Sequence, residues 1–350
     1  MYLRELSQAV GVSGDEGAVR DLIVDAIRDH VTDLHIDALG SLTARLAGTG
    51  AQPLRIMLDA HMDEVGFMIT GVESNGLLRF TAVGGIDDRI LPALRVLVGK
   101  KQIPGVILWA PIHHNRDQSI KPIKELRIDI GASSKSAAEG KVSLGDRVAF
   151  ASEYVELSET VVRGKAFDDR VGCSLLIDVL RSGPYPVEVL VSFTVQEEIG
   201  LRGAKVAAQR LQPDLAIALE GTTAHDVPNP SADPDDPTRP NPVCVMGGGP
   251  ALTLMDRSLI AHPRLLAFLR QTAEDVGIPY QYKRALGGGT NAGAIHLANA
   301  GVPSAVISIP CRYIHSPHAL LSKADYAAAL RLIQAALHRL TPDVLQPASA

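Results

Sequence analysis

The sequence predicts an α/β fold, a mostly parallel or mixed sheet covered by helices on both faces, with a small all-β barrel domain inserted into it. Three observations lead there. Apolar runs of strand length alternate with helical patterns in the first sixty and the last two hundred residues, the pattern of a helix-covered parallel sheet. Between residues 67 and 159 that alternation gives way to short β-rich runs punctuated by Ser74-Asn75-Gly76, Gly84-Gly85, Pro104-Gly105 and Gly145-Asp146, with no long helical pattern. Four apolar runs each lead into a residue able to ligate a metal, and ligands of open α/β sheets bind beyond the carboxyl ends of parallel strands.

In chain order, Ser13-x-x-Glu16 reads as a capping box, and Val19, Leu22, Ile23, Ala26, Ile27 and Val31 follow at helical spacing. Strands are expected at about 34–38, 42–46 and 54–60. The insert comes next. Beyond it, helical patterns cover about 171–181, 203–211, 263–276, 292–298 and 323–340, with strands between them. The piece before the insert is too short to complete a sheet, so one discontinuous domain (1–66 and 160–350) interrupted by an insert (67–159) is the simplest organisation. The segment 226–242, rich in Pro and Asp, reads as an exposed loop.

The chain has 350 residues and a formal net charge of −5, enough length for two domains and a large core. Its mild acidity and lack of a Lys/Arg cluster argue against a nucleic-acid partner. No apolar run approaches membrane-spanning length, and the amino terminus has no apolar signal region. Cys173, Cys244 and Cys311 are scattered and odd in number, so no disulfide framework is implied. A cytoplasmic protein is expected.

The chemistry lies at the strand ends. The run 54–60 enters His61-Met-Asp63-Glu64; 187–194 enters Gln196-Glu197-Glu198; 215–219 is followed by Glu220; 302–309 leads to Tyr313-Ile-His315. A fifth set, Ala166-Phe-Asp168-Asp169-Arg170, precedes a helical pattern. Any one of these is an ordinary surface carboxylate or histidine. Five sets meeting at one edge look like a dinuclear metal site. Asp63, Asp168, Glu197, Glu198 and Glu220 gathered in one pocket would repel, and two divalent cations remove that repulsion. Oxygen and imidazole donors without thiolate suit zinc, cobalt or manganese. A general base must not itself be a ligand, and the adjacent Glu197 and Glu198 allow the two jobs to be divided. Both reach one site only if the strand ends there. A ligating imidazole donates its other N–H to a neighbour, and His61-x-Asp63 places a carboxylate nearby.

His61-x-Asp63-Glu64-Val65-Gly66, Ala166-Phe-Asp168-Asp169-Arg170-x-Gly172, Gln196-Glu197-Glu198-x-Gly200-x-Arg202-Gly203-Ala204 and Arg312-Tyr-Ile-His315-Ser316, in this order, resemble the TET-type (glutamyl or deblocking) aminopeptidases, a family of dinuclear metallopeptidases some of whose members bear the name endoglucanase. The resemblance spans nearly the whole chain, with Ile128-Asp-Ile-Gly131-Ala and Gly287-Gly-Gly-Thr290 inside it. It implies a zinc-aminopeptidase-like fold holding two divalent metal ions, with Asp168 bridging them. His61 and Glu220 would complete one metal's shell, Glu198 and His315 the other's. Glu197 would be the general base and Asp63 the partner that orients the His61 ring. The implied reaction is removal of N-terminal residues from short peptides, a bridging metal-activated water attacking while Glu197 takes and later returns its proton. The resemblance also implies a homo-oligomer, a tetrahedral dodecamer built from dimers, its active sites facing a chamber that admits only short peptides.

One departure is Asn291, where the family pattern leads one to expect Asp; another is Glu220, where relatives have Asp. Gly287–Gly289 before a helix is a weak dinucleotide-loop signal, since no βαβ unit with a ribose-binding acid follows; positioning of substrate at the helix start is the better reading. Cys311 reads as a buried thiol, His113-His114 as loop residues, His296 as a helix residue, and Arg170 and Arg202 as loop braces. Rival readings are a metal-dependent carboxypeptidase or deacylase, a glycosidase (which would need no histidine ligands) and a catalytically silent assembly protein, against which the intact Glu197 argues.

Overall fold

A computed structural model describes residues 1–51, 53–109, 113, 119–227, 244–284 and 287–345. His114 and most of the 226–242 loop lie outside the described residues.

The chain opens with α1 (Leu3–Gln8) and α2 (Gly17–Ile27), then β1 (Thr32–Ile36), β2 (Leu42–Leu46) and β3 (Arg55–His61). The barrel strands follow: β4 (Gly66–Val72), β5 (Leu78–Val83), β6 (Arg95–Val98), β7 (Ile103–Ile107), β8 (Ile128–Asp129) and, after α3 (Lys135–Glu139), β9 (Arg147–Phe150). The chain then returns through β10 (Val155–Glu156), β11 (Val161–Gly164), α4 (Phe167–Ser182), β12 (Glu188–Thr194), α5 (Arg202–Leu211), β13 (Leu215–Thr223) and β14 (Ala251–Thr253). It ends with α6 (Pro263–Asp275), β15 (Gln281–Lys283), α7 (Ala292–Ile295), β16 (Ser304–Arg312), β17 (Ala319–Ser322) and α8 (Lys323–Arg339).

The large sheet is mixed, in the order β1-β2-β12-β3-β13-β16-β17-β11-β10, with β14 and β15 beside β16. Its four central strands, β12, β3, β13 and β16, are mutually parallel. Their carboxyl ends therefore share one edge, as the sequence predicted. Alternate side chains along these strands serve opposite faces. Ile56, Leu58, Val189, Val191, Leu215 and Ile217 join the main core. Met57, Leu190 and Ala216, one residue out of phase, pack with Ala204, Ala207, Leu211 and Ile295 from α5 and α7.

The insert closes as a six-stranded barrel, β4-β5-β8-β7-β6-β9. Phe67 sits at its centre, edge-on to Phe80 and Phe150 with ring centroids 5.2 and 5.6 Å away, a favoured aromatic geometry. The barrel strands run from Gly66 to Phe150; β10, which falls within the expected insert bounds, pairs instead with β11 in the large sheet.

Two local expectations are corrected. The capping box does not form: Glu16 itself stands at the N-cap of α2 and no side chain caps that helix. Glu220 does not follow its strand. β13 continues through Gly221, Thr222 and Thr223, held by parallel pairing to Ser308–Cys311, so Glu220 projects from within it.

Candidate metal centre

His61 ends β3, directly opposite Thr194, the last residue of β12. Beyond Thr194 the chain turns through Gln196, which takes φ +58°, and this reversal lets both Glu197 and Glu198 reach the site. Ala166, Leu201, Tyr313 and His315 also hold left-handed backbone around the same centre. For residues with a β-carbon each such conformation costs about 1–2 kcal/mol, and such strain clusters where function over-determines the backbone. Asp168 enters from the start of α4. Gly221 leaves room for it, since a β-carbon there would stand 2.9 Å from the Asp168 Cα.

The side chains converge in two sets. His61 Nε2 is 3.3 Å from Asp168 Oδ1 and 3.6 Å from Glu220 Oε2. His315 Nε2 is 3.4 Å from Asp168 Oδ2 and 3.3 Å from Glu198 Oε1. Each Asp168 oxygen thus faces a different histidine. Two ligands each about 2.0–2.1 Å from a tetrahedral ion stand roughly 3.3–3.4 Å apart, so the spacing suits a cation within each set. Glu198 Oε1, buried with no hydrogen-bond partner, points to the same fit. Glu197 Oε2 lies further from His61 Nε2, at 3.9 Å. A second grouping of donor atoms, His61, Glu197 and Glu220, also lies within ligand reach.

Electrostatics make the same case. Burial pushes Glu197 up to about 7 and Glu198 up to about 8. Burial, with Asp169 beside it, holds Glu220 well above the carboxylate range. Burial also acts to raise Asp168, but the adjacent His315 and His61 outweigh it and keep that carboxyl low. Against burial, Asp168 and Glu198 carry His315 up to about 9. Divalent cations would let the whole carboxylate set ionise at neutral pH.

Around these residues stands a ring of supports. His61 Nδ1 is 3.0 Å from the Asp63 main-chain carbonyl and 3.5 Å from its carboxylate, so the ring meets Asp63 first through backbone. The Asp63 carboxylate accepts the Glu197 N–H at 3.0 Å and the Glu198 N–H at 3.2 Å. His315 Nδ1 is 2.7 Å from the carbonyl of Gly85. The barrel, which the sequence reading left out of the centre, therefore reaches it through a backbone oxygen that no side-chain pattern reveals. Asp169, buried, accepts the His61 N–H at 3.1 Å. Arg170 braces loops by donating to the carbonyls of Met62, Ala9 and Gly11 at 2.7–3.3 Å, and Arg202 reaches the Gln196 side chain at 3.2 Å.

Asn291 is structural. Its Nδ2 donates to Asp59 Oδ2 and Thr194 Oγ1, each at 2.7 Å, and its backbone N–H faces Glu220 Oε1 at 3.5 Å. The helix it opens, α7, has only four residues, shorter than expected. Cys311 is a buried core thiol, and His296 Nδ1 meets its own helix at the Ala292 carbonyl. His113 lies exposed in a turn.

A cavity of about 1010 Å³ opens from the cluster, its walls including Ile86 and Ile90 from the barrel, Leu201, Lys283, Gly288 and Tyr313. That is the size of a small-molecule or short-peptide site.

Fold and donor set together define the class: a mixed α/β scaffold with a candidate metal centre at the carboxyl edge of its parallel strands. A model of the M42 glutamyl aminopeptidase family matches residues 40–332, and the chain belongs to that family. A glutamyl aminopeptidase of Lactococcus lactis is 32% identical over 355 residues, covering 97% of this chain and 96% of its own. The TET aminopeptidase of a marine sediment Thaumarchaeota archaeon superposes with a TM-score of 0.91 at 36% identity, covering 98% of this chain and 96% of that one. The Pyrococcus horikoshii TET1 peptidase, which assembles into a tetrahedron or a large octahedral shell, superposes with a TM-score of 0.84 at 34% identity over 97% of this chain and 98% of that one. The chain is thus an aminopeptidase by family. Among the described residues no helix is long and apolar enough to cross a membrane.

Proposed function

We propose that this chain is a metal-dependent aminopeptidase that removes N-terminal residues from short peptides. One observation carries the reading: the two oxygens of Asp168 face two separate histidine–carboxylate sets. His61 and Glu220 would hold one divalent ion, Glu198 and His315 the other, with Asp168 shared. When bound, two such ions polarise a scissile carbonyl and activate a water for attack. Glu197, the more distant carboxylate, takes the proton of the attacking water and returns it to the leaving amine. The Asp63 carboxylate holds the Glu197 and Glu198 amides and keeps base and ligand in register. The donor set suits zinc or cobalt, with manganese also compatible.

A panel of aminoacyl chromogenic amides, with matching N-acetylated amides and C-terminal substrates, assayed with and without added cobalt or zinc, tests this. The free-amine substrates alone should be cleaved, and exhaustive chelation should abolish turnover. Cleavage of the acetylated or C-terminal substrates would make the chain a deacylase or carboxypeptidase. Full turnover in protein shown metal-free by elemental analysis would overturn the metal assignment.

We propose further that the large-sheet domain is catalytic and that the barrel, from Gly66 to Phe150, serves assembly, the chain forming a closed homo-oligomer, a dodecamer in the manner of its tetrahedral relatives. The exposed barrel side chains Val106 and Trp109 support such a role. Light scattering should give a particle far larger than the 37.2 kDa chain, and a fully active monomer would refute the chamber. The three buried free cysteines suit a reducing compartment, the cytoplasm.

A further inference from the structure

Ser13 and Glu16, whose spacing reads as a helix cap, make their hydrogen bonds elsewhere. Ser13 Oγ donates to Asp63 Oδ2 at 2.6 Å. Glu16 Oε1 accepts the N–H of Gly14 at 2.7 Å and that of Gln196 at 3.2 Å. Asp63 accepts the next two amides, those of Glu197 and Glu198. Three consecutive N–H groups of the turn that carries Glu197 therefore end on two buried carboxylates contributed by other parts of the chain. Ser13 is fully buried and Glu16 is 4% exposed. A carboxylate is expensive to bury, so its place against an amide of a left-handed residue is what its position offers in return. The same segment is tied to the barrel, since Arg147 Nε of β9 donates to the Ser13 carbonyl at 2.9 Å.

We propose that Glu16 and Ser13 are positioning residues that hold the Gln196–Glu198 turn and thereby aim the Glu197 carboxylate. This rests on Glu197 being the base. Within that turn Glu16 touches only the amide preceding Glu197, while the Glu197 and Glu198 amides hang from Asp63. Loss of Glu16 should therefore reach the rate before it reaches metal binding. The left-handed Gln196 is the strained joint: without its acceptor the turn relaxes and the carboxylate swings out of line.

The test uses Glu16→Ala and Glu16→Gln in the metal-loaded, full-length protein, each alone and combined with Glu197→Gln. Four quantities are read: kcat, KM, metal equivalents by elemental analysis, and hydrogen exchange of the 196–198 amides. Glu16→Ala should lower kcat by about 10- to 100-fold, as expected for a displaced catalytic group, with KM and metal content unchanged and faster exchange at Gln196. Glu16→Gln keeps the acceptor oxygen and should recover most of the rate. In the Glu197→Gln background Glu16→Ala should add almost nothing, because both act through one group. Should the alanine variant fail to fold, Ser13→Ala removes one donor to Asp63 and is expected to show the same kcat loss on a smaller scale. Unchanged kcat and unchanged exchange in Glu16→Ala, equal losses in the Ala and Gln variants, or a fully additive loss in the Glu197→Gln background would each overturn the proposal. Wild-type kcat in Glu197→Gln alone would instead remove the base assignment, and amide exchange would then decide whether Glu16 holds the turn.

Discussion

Glu197→Gln is the substitution that separates base from ligand. The carboxamide keeps the shape of the side chain and leaves the backbone N–H bonded to Asp63 at 3.0 Å, so the turn should stay in place. What disappears is the proton acceptor. General-base catalysis contributes about 10²–10⁴ in rate, or about 2.7–5.4 kcal/mol of barrier, and kcat should fall by that factor. Metal content should not fall. Glu197 Oε2 is 3.9 Å from His61 Nε2, whereas the assigned ligand oxygens of Asp168 and Glu220 are 3.3 and 3.6 Å away. The pH profile provides a second reading. Burial pushes the Glu197 carboxyl up to about 7, and a base works only when deprotonated, so wild-type kcat should fall as pH drops through its pKa. Nearby cations favour the ionised form and move that limb to pH 7 or below. The variant should lose the limb along with the rate. Steady-state kinetics on an aminoacyl amide from pH 5 to 9, with elemental analysis of the same samples, decides the matter. If Glu197→Gln released metal, ligand and base would have been exchanged; a loss of less than about tenfold in kcat with metal retained would remove Glu197 as the base.

Three further outcomes follow from the same geometry. His315→Ala removes a donor whose other ring nitrogen is fixed by Gly85, and it should bind fewer metal equivalents by elemental analysis, with kcat lost in proportion. Gly84→Ala should destabilise the protein by about 1–3 kcal/mol in denaturant melts, because φ is +88° and the new β-carbon would meet Val65 at 2.7 Å. It should also weaken metal binding, since the same β-carbon would stand 3.3 Å from the Glu198 Cβ. Glu16 is pushed from 4.5 up to about 7 by burial, so its favourable contribution is complete below about 4.5 and is lost as pH rises through about 7. The stability of wild type relative to Glu16→Gln should thus decline by up to about 3 kcal/mol over that window, and a flat difference would contradict the shift.

The convergence of the site's side chains could be read from sequence where it depends on a residue's place at the end of an apolar strand. His61, Glu197, Glu198 and His315 each follow such a run, and parallel pairing of β12 with β3, β3 with β13 and β13 with β16 carries their ends to one edge. The same rule misplaced Glu220 slightly. Gly221-Thr222-Thr223 is polar and looks like a loop, yet it completes the ladder with β16 and lines the open cavity, where polar side chains are tolerated. The short elements α1, β10, β11 and β17 carry no period that the sequence shows.

The supports of the centre were hidden for a different reason. Ser13-x-x-Glu16 has the letters of a capping box, but the helix begins one residue after Glu16, so Glu16 occupies the N-cap and not the third helical position. Only the start of α2 distinguishes the two readings, and helix boundaries are the least legible part of a sequence. The Gly85 carbonyl that meets His315 has no letter at all, because every residue carries one. The left-handed turns at Ala166, Gln196, Leu201, Tyr313 and His315 are likewise silent, since none of these residues favours that conformation. What forces them is tertiary: buried acceptors just after β3 (Asp63) and just before α2 (Glu16) fix the Gln196–Glu198 amides, and a barrel loop fixes His315. The side chains assigned to metal and proton stand where strands end, but their aim is set by backbone contacts between segments as distant as Glu16 and Gln196.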